Sequence, residues 1–332
     1  DWDEGPDVGG DYGSYVQSER LERYEQMITS LFDCDRAYYC FCSAERLKTL
    51  REFQAQSHLP PGYDGHCRNL EPAKVAHRVK TEPFVVRFKM LKGGVTTLHD
   101  LVRGPVVFEN RLQDDFVILK SDGFPTYHLA LLTDDSSMEI SHVIRGEEWL
   151  PSAPKHVQLF EAVGYPVPQF AHLPVLVGSD QKKLSKRTGG ASALEYRDKG
   201  YLPEAMLNFL AFLGWSLDDK TSIISKDELA AQFSLDRVVP NPAIFDLERL
   251  DFLNGYHIRE IPPVRWKTLV AAECPDSVSD ELMSAVAPLL QTRTNRLEEI
   301  SPNISFLFED YLPTYDAALL SERLGNDVSM TL

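Results

Sequence analysis

The fold is decided by residues 140–177, which read ISHVIRGEEWLPSAPKHVQLFEAVGYPVPQFAHLPVLV. The run from Ile140 to Arg145 is rich in apolar and β-branched residues, which predicts a buried strand. The segment from Lys155 to Val163 has the pattern of a helix, and it is followed by Gly164, a residue that commonly ends helices. A second strand is predicted from Leu173 to Val177. Strand, helix and strand in this order indicate a doubly wound α/β domain, whose ligands bind beyond the carboxyl ends of the strands.

The sequence on either side of this unit has a different texture. Upstream, residues 17–32 place apolar side chains three to four positions apart, which predicts an amphipathic helix. Residues 40–115 are interrupted by glycine and proline and contain a strand-like run at residues 84–88, as is typical of a mixed α+β insertion. Downstream, residues 205–213 are nearly all apolar and predict a helix that ends at the next glycine. Short helices are predicted from Pro240 onward.

Length and composition limit the kind of protein. The 332 residues, of which 43% are hydrophobic and 25% charged, indicate a folded globular protein of two or three domains. A formal net charge of −16 excludes a protein whose whole surface binds nucleic acid, so such contacts must use local basic patches. Five cysteines without a compact spacing favour a reducing compartment. The sequence contains no run of about 20 apolar residues that could cross a membrane.

A strongly basic loop follows the second predicted strand. Residues 181–190 read QKKLSKRTGG, so that Lys182, Lys183, Lys186 and Arg187 lie close to a hydroxyl and to flexible glycines. Such donors suit the oxygens of a phosphate ester, on which charge increases when the bond between the α- and β-phosphates breaks. The alternative is a solvated basic loop or a nucleic-acid patch, and composition alone favours that alternative.

The surrounding sequence changes this interpretation, because seven segments resemble glutamyl-tRNA synthetases in the same order and with matching spacing. These segments are YVQSER at 15–20, YCFCS at 39–43, DGFPTY at 122–127, VIRGEEW at 143–149, KLSKR at 183–187, GYLPEA at 200–205 and FDLERLDFLNG at 245–255. The series covers nearly the whole chain and is far more specific than any one segment. The resemblance implies that KLSKR is this family's form of the Lys-Met-Ser-Lys-Ser signature of class I synthetases.

The resemblance assigns the ATP-binding residues. They are Leu176, Lys183, Leu184, Ser185, Lys186 and Arg187. Lys183 and Lys186 are the implied catalytic residues, since they would neutralise the phosphates of ATP while the adenylate forms. Leu176 has the spacing at which the family contacts adenine through backbone groups, a role compatible with an ordinary strand residue.

The same resemblance assigns the amino-acid and tRNA contacts. Tyr127 and Arg145 would line the glutamate pocket, where a guanidinium can bind a carboxylate through two parallel hydrogen bonds. Glu148 and Trp149 would lie near the amino acid and the acceptor end of tRNA, although Trp149 could equally be a packing residue. Adenylate formation needs no protein base, because the glutamate carboxylate is already an anion. Nearby histidines, including His128 and His142, are therefore interpreted as structural.

A cysteine cluster resembles a zinc knuckle that some bacterial relatives carry. Its residues are Cys40, Cys42 and Cys67, with Tyr63 or His66 nearby. Three thiolates would suit tetrahedral zinc. Asn69, however, stands where those relatives supply a histidine ligand, and an amide is a poor ligand for zinc. We therefore assign no metal ligand, and buried free cysteines are favoured over an occupied zinc site.

The resemblance implies a Rossmann-type class I synthetase catalytic domain with an α+β insertion, followed by an α-helical anticodon-side domain. The expected segments are 1–38, the end of the first Rossmann half; 39–115, the insertion that binds the tRNA acceptor end; 116–200, the second Rossmann half; 201–258, a stem-contact region; and 259–332, the start of the helical domain. The chain lacks the family's early His-Ile-Gly-His motif. We therefore expect an internal fragment that lacks both ends and is poorly stable and inactive alone.

The implied function is that of a glutamate–tRNA ligase, which uses ATP and Mg²⁺ to attach glutamate to tRNA-Glu through a glutamyl-adenylate. Two alternatives are the glutamyl-queuosine tRNA-Asp synthetase paralogue and a non-catalytic tRNA-binding protein derived from a synthetase. The helical continuation after Pro240 favours the ordinary ligase over the paralogue, which ends earlier. We expect a monomer with no membrane contact, located in the cytoplasm or in the matrix of a mitochondrion or plastid.

Overall fold

A computed structural model describes residues 2–184, 192–274 and 279–305 of the chain. The chain divides into a first unit, Asp1–Val175 with Val238–Pro240, and a second unit, Leu176–Arg237 with Asn241–Leu332. The five segments expected from the resemblance stay a prediction, because this division separates compact units and does not locate the boundaries of those segments.

The first unit mixes helices and strands. In chain order they are α1 Leu21–Asp33, β1 Ala37–Cys40, α2 Ala44–Gln56, α3 Pro72–Thr81, β2 Val85–Phe88, β3 Val95–Asp100, β4 Gly104–Glu109, β5 Val117–Leu119, α4 Tyr127–Ser137, β6 His142–Gly146, α5 Ala153–Val163 and β7 Gln169–Leu173. The strands form two sheets. One has the order β1-β2-β5 and is antiparallel, and the other has the order β4-β3-β7-β6.

The predicted strand, helix and strand do form a β-α-β unit. β6 and β7 are parallel, with Val143 opposite Phe170, and α5 connects them. Pro154 occupies the first turn of α5, where its missing N–H costs no hydrogen bond. The helix ends at Gly164, whose φ of 73° lies in the left-handed region that glycine adopts without strain. β7 is also parallel to β3, where Asp100 lies opposite Phe170.

Two strand predictions in this region were wrong in part. The strand expected from Ile140 to Arg145 begins at His142 and is not buried, since Ile144 is 51% exposed. It lies at the edge of its sheet, so its β-branched residues reflect strand propensity and not burial. The strand expected from Leu173 to Val177 is two strands, because Pro174 cannot donate a ladder hydrogen bond.

The largest core of the first unit lies between α1, α4 and the sheet β1-β2-β5. α1 buries Tyr24, Met27, Ile28 and Leu31, which recur three to four positions apart as the predicted amphipathic pattern requires. The first residues of that predicted helix form a separate 3-10 turn, Gln17–Glu19. A smaller core lies between α5 and the sheet that contains β7, and it includes Phe170.

The second unit is mostly helical in the part that the structure describes. Its elements are β8 Leu176–Val177, α6 Ala193–Asp198, α7 Pro203–Ala211, α8 Lys226–Gln232, β9 Ala243–Ile244, α9 Leu247–Arg259, α10 Pro263–Ala272, α11 Asp280–Gln291 and α12 Ile300–Ile304. The helix predicted at 205–213 is α7, which begins earlier because Pro203 fits its first turn. Short helices dominate after Pro240, as predicted. In the part of the chain that the structure describes, no helix has the length and apolar character needed to span a membrane.

Candidate active site

Arg145 lies near the carboxyl end of β6, where the adjacent parallel strand β7 places His172 beside it. Its Nε donates to His172 Nε2 at 3.1 Å, and its Nη2 lies 3.1 Å from His156 Nδ1. Its Nη1 is buried and has no hydrogen-bond partner among the described residues. Burial lowers the pKa of Arg145 below its ordinary value, while the nearby Tyr127 hydroxyl acts in the opposite direction. Arginine nonetheless keeps its charge in proteins. Nη1 of Arg145 is therefore a charged donor that no described residue uses.

Two aromatic side chains flank this guanidinium. Tyr127, the first residue of α4, and Trp149 have ring centroids 4.5 Å apart, and the Arg145 guanidinium lies 5.8 Å from the Trp149 ring. Tyr127 is 46% exposed and Trp149 is 36% exposed. The structure therefore brings together three of the residues that the resemblance assigned to the substrate. A partly exposed aromatic pair beside a cation offers a ligand both apolar faces and charge.

Glu148 lies in the 3-10 segment Glu147–Ser152, and its side chain is exposed. The preceding Glu147 has a different environment, because it forms an ion pair with Arg103. The two neighbouring glutamates are thus distinguished by the structure. Glu147 therefore connects to the loop between β3 and β4 through Arg103, and Glu148 has an exposed side chain next to Trp149 in the sequence.

The ATP-binding residues assigned from the sequence lie in the second unit. Leu176 begins β8, and the chain returns after a tight turn so that Leu184 N donates to Leu176 O at 3.0 Å. Lys183 is exposed and bridges back to Val177 in the same hairpin. Gln181 adopts a φ of 59° in this turn. The hairpin therefore presents the start of the basic loop at the surface, while Ser185, Lys186 and Arg187 lie outside the described residues.

The three cysteines of the predicted cluster do meet. The sulfur atoms of Cys40, Cys42 and Cys67 lie within 4.8 Å of one another. The Tyr63 hydroxyl lies 3.5 Å from Cys40 Sγ and 3.6 Å from Cys42 Sγ, whereas His66 is exposed. A hydrogen bond from Cys67, with help from Tyr63, lowers the pKa of the Cys40 thiol despite burial.

This donor set fits a tetrahedral metal ion. A zinc–sulfur bond of about 2.3 Å sets neighbouring sulfur atoms about 3.8 Å apart, and Cys42 Sγ and Cys67 Sγ are separated by 3.6 Å. Tyr63 is better placed than Asn69 to supply a fourth, oxygen ligand, because its hydroxyl points into the cluster and Asn69 is exposed. The preference for free cysteines stays a prediction.

Sequence reasoning missed the residues that hold Arg145. His156 and His172 are fully buried, and His172 Nδ1 lies 2.6 Å from Asp100 Oδ2. A signal was present, since His172 lies within the run FAHL and His156 lies on the face of α5 that also carries the buried Val157 and Phe160. Of the histidines interpreted as structural, His128 is partly buried and its Nδ1 lies 2.9 Å from His156 Nε2, but His142 is exposed.

A family model described as tRNA synthetases class I (E and Q), catalytic domain, matches residues 2–252. The chain belongs to this family. The predicted class I synthetase fold is therefore confirmed, together with the expectation of an aminoacyl-tRNA ligase.

Relatives of the chain extend the agreement beyond the family match. A glutamate–tRNA ligase of Dehalococcoides mccartyi is 48% identical over 341 residues, which cover 99% of this chain and 69% of the relative. One of Fusobacterium nucleatum is 42% identical, with 93% of this chain and 63% of the relative covered.

Solved structures of the family have the same fold. A glutamate tRNA ligase from Elizabethkingia meningosepticum, crystallised with its amino acid, superposes with a TM-score of 0.86 at 33% identity. The match covers 96% of this chain and 69% of that chain. The synthetase from Elizabethkingia anophelis gives the same TM-score at 34% identity.

Proposed function

We propose that the protein containing this chain is a glutamate–tRNA ligase. The observation that carries the proposal is the guanidinium of Arg145. Its buried Nη1 has no hydrogen-bond partner in the described part of the chain, and the partly exposed rings of Tyr127 and Trp149 lie beside it. An unused, desolvated guanidinium is suited to a carboxylate, with which it forms charge-assisted hydrogen bonds. Relatives named as glutamate–tRNA ligases support glutamate as the substrate that carries this carboxylate.

Formation of the adenylate requires the protein to position glutamate and ATP and to stabilise the negative charge that develops on the phosphates. Arg145 and Tyr127 would hold glutamate so that its α-carboxylate, already an anion, attacks the α-phosphate of ATP and displaces pyrophosphate. Lys183, exposed in the hairpin that opens the basic loop, would neutralise the growing charge on the phosphate oxygens. Leu176 would contact adenine through its backbone, and Ser185, Lys186 and Arg187 would complete the loop. Magnesium would accompany ATP, bound mainly by phosphates and water.

In the second step, the terminal ribose hydroxyl of tRNA attacks the activated carbonyl and releases AMP. The exposed side chains of Glu148 and Trp149 would contact the acceptor end, which has to reach the same carbonyl. An unpaired base can stack on an aromatic side chain that is only partly buried. We further propose tRNA-Glu as the partner, a monomer as the active form, and the cytoplasm or an organellar matrix as the compartment.

The test is aminoacylation by the complete gene product that contains this chain. Glutamate charging of tRNA-Glu and ATP–pyrophosphate exchange are measured with and without tRNA. Exchange with glutamate that depends on tRNA, followed by charging, is the expected result. Charging of tRNA-Asp alone would identify the paralogue, and binding of tRNA without exchange under either condition would identify a non-catalytic tRNA-binding protein.

Arg145→Ala tests the observation directly. Loss of one charge-assisted hydrogen bond, worth about 1.5–3 kcal/mol, should raise the KM for glutamate by roughly 10- to 100-fold and leave that for ATP nearly unchanged. Arg111→Ala is the matched control, since Arg111 is an exposed arginine of the same unit. An unchanged glutamate KM in Arg145→Ala would remove the basis of the proposal.

A further inference from the structure

Arg145 is held by imidazoles and not by carboxylates. Its Nε donates to His172 and its Nη2 to His156, and no ion pair of Arg145 occurs in the described part of the chain. A carboxylate in direct contact would neutralise the guanidinium and compete with an incoming substrate carboxylate. Neutral acceptors fix the direction of the side chain while leaving its full positive charge available.

The hydrogen-bond network fixes the tautomer of His172. An ionised carboxylate can only accept, so the contact between Asp100 Oδ2 and His172 Nδ1 requires the proton to be on Nδ1. Nε2 then carries the lone pair that accepts from Arg145. Asp100 is itself held, because its Oδ1 accepts from the backbone N–H groups of Val102 and Arg103 at 3.0 Å each. Asp100 thus determines which nitrogen faces Arg145.

The same reasoning fixes His156. Arginine is always a donor, so His156 Nδ1 must be unprotonated to accept from Nη2. The proton is then on Nε2, which donates to His128 Nδ1 at 2.9 Å. Both rings are neutral in this arrangement. Burial favours that state, since it lowers the pKa of His156 to about 2 and also lowers the pKa of His172.

We propose that Asp100, His172 and His156 are positioning residues of the amino-acid site, which orient Arg145 toward the substrate carboxylate without neutralising it. The inference rests on the proposed function, because it assigns these residues to the glutamate-binding role of Arg145. None of the three contacts solvent, so their effect on the substrate passes through the guanidinium.

The experiment compares His172→Leu and His172→Gln in the complete gene product. Leucine removes the acceptor, and we expect a rise in the KM for glutamate of about tenfold or more, with the KM for ATP changed by less than about twofold. The carbonyl of glutamine lies close to the position of Nε2 and can accept from Nε. His172→Gln should therefore recover most of the affinity and raise the glutamate KM no more than about threefold.

Asp100→Asn tests the tautomer. An asparagine that offers its NH₂ group to Nδ1 places the imidazole proton on Nε2, where it opposes the Arg145 donor. We expect a glutamate KM raised about tenfold in Asp100→Asn, but less than about twofold further when the change is added to His172→Gln, because an amide has no tautomer to reverse. His99→Asn is the matched control, since His99 is the exposed neighbour of Asp100 on β3.

The outcomes separate the two proposals. If His172→Leu and Asp100→Asn leave the glutamate KM unchanged, or raise the KM values of glutamate and ATP equally, the positioning role is wrong even when Arg145→Ala behaves as proposed. If the unmodified enzyme does not activate glutamate, both proposals are wrong. Should His172→Leu not fold, the double-variant comparison of Asp100→Asn with His172→Gln decides the question, and independent, additive effects would count against the tautomer argument.

Discussion

Acid should destabilise the first unit, because two histidines with little or no exposure to solvent, His128 and His156, are neutral in the folded state. Burial lowers the pKa of His156 to about 2 and that of His128 to about 4, from an ordinary value of 6.5. When the pKa in the folded state lies below that in the unfolded state, the unfolded chain binds more protons as the pH falls. Stability is therefore complete above about pH 6.5 and decreases below it.

The size of the effect follows from the two pKa values. At pH 5 each unfolded histidine lies 1.5 pH units below its ordinary pKa, which corresponds to about 2 kcal/mol at about 1.4 kcal/mol per unit. Neither folded histidine takes up a proton appreciably at that pH. The two together should lower the free energy of unfolding by about 4 kcal/mol between pH 7 and pH 5, a large part of the stability of an ordinary domain.

Amide hydrogen exchange in α4 and α5, corrected for the intrinsic effect of pH on exchange, measures this loss, because these helices carry His128 and His156. His156→Gln cannot titrate, so its stability should fall by only about 2 kcal/mol over the same range. His142→Gln is the control, since His142 is an exposed histidine of the same unit. Equal slopes for the unmodified protein and His156→Gln would refute the reasoning.

Three further changes test other parts of the structure. Gly200→Ala should lower the free energy of unfolding of the second unit by about 2 kcal/mol or more, measured by urea unfolding, because φ is 80° and the new Cβ would lie 2.5 Å from Leu297 N. Asp246→Ala should cost about 1 kcal/mol in the same assay, since Asp246 caps α9 by accepting from Glu248 N and Arg249 N, and a serine at 246 should restore most of it. Asp135→Asn should stabilise the first unit by about 1 kcal/mol at pH 7.5, a gain that shrinks between pH 6 and pH 4, because burial and then Asp134 raise the pKa of Asp135 to about 6. No change in thermal stability at either pH would contradict this last expectation.

Local signals in the sequence predicted the elements whose causes are local. The spacing of apolar residues located α1, and Gly164 located the end of α5. The β-branched run at residues 140–145 revealed a strand but not its exposure, because alternation and propensity do not show whether a strand lies at the edge of a sheet. Pro174 has no backbone N–H to donate, which predicts an interruption of the strand expected from Leu173 to Val177 despite the apolar residues around it.

The candidate site was predictable where the family carries a motif and not elsewhere. Tyr127, Arg145 and Trp149 lie in segments that resemble the family, and they meet in the structure. Asp100 and His172 are 72 residues apart and lie in segments without a motif. Their contact depends on the parallel pairing of β3 with β7, which places Asp100 opposite Phe170, two residues before His172. Pairing between distant strands is not encoded in the pattern of either strand alone.

The positioning of Arg145 and the acid stability of the first unit depend on the same protons. His156 accepts from Arg145 only while its Nδ1 is unprotonated, and burial beside that cation keeps it so. Moving the ring into solvent would ease the acid sensitivity, but it would also remove the fixed acceptor. Replacing it with a carboxylate would hold Arg145 more strongly, yet the charge that a substrate needs would then be neutralised. A site that must present an unpaired guanidinium therefore requires buried neutral acceptors, and an imidazole in that role brings the sensitivity to acid with it.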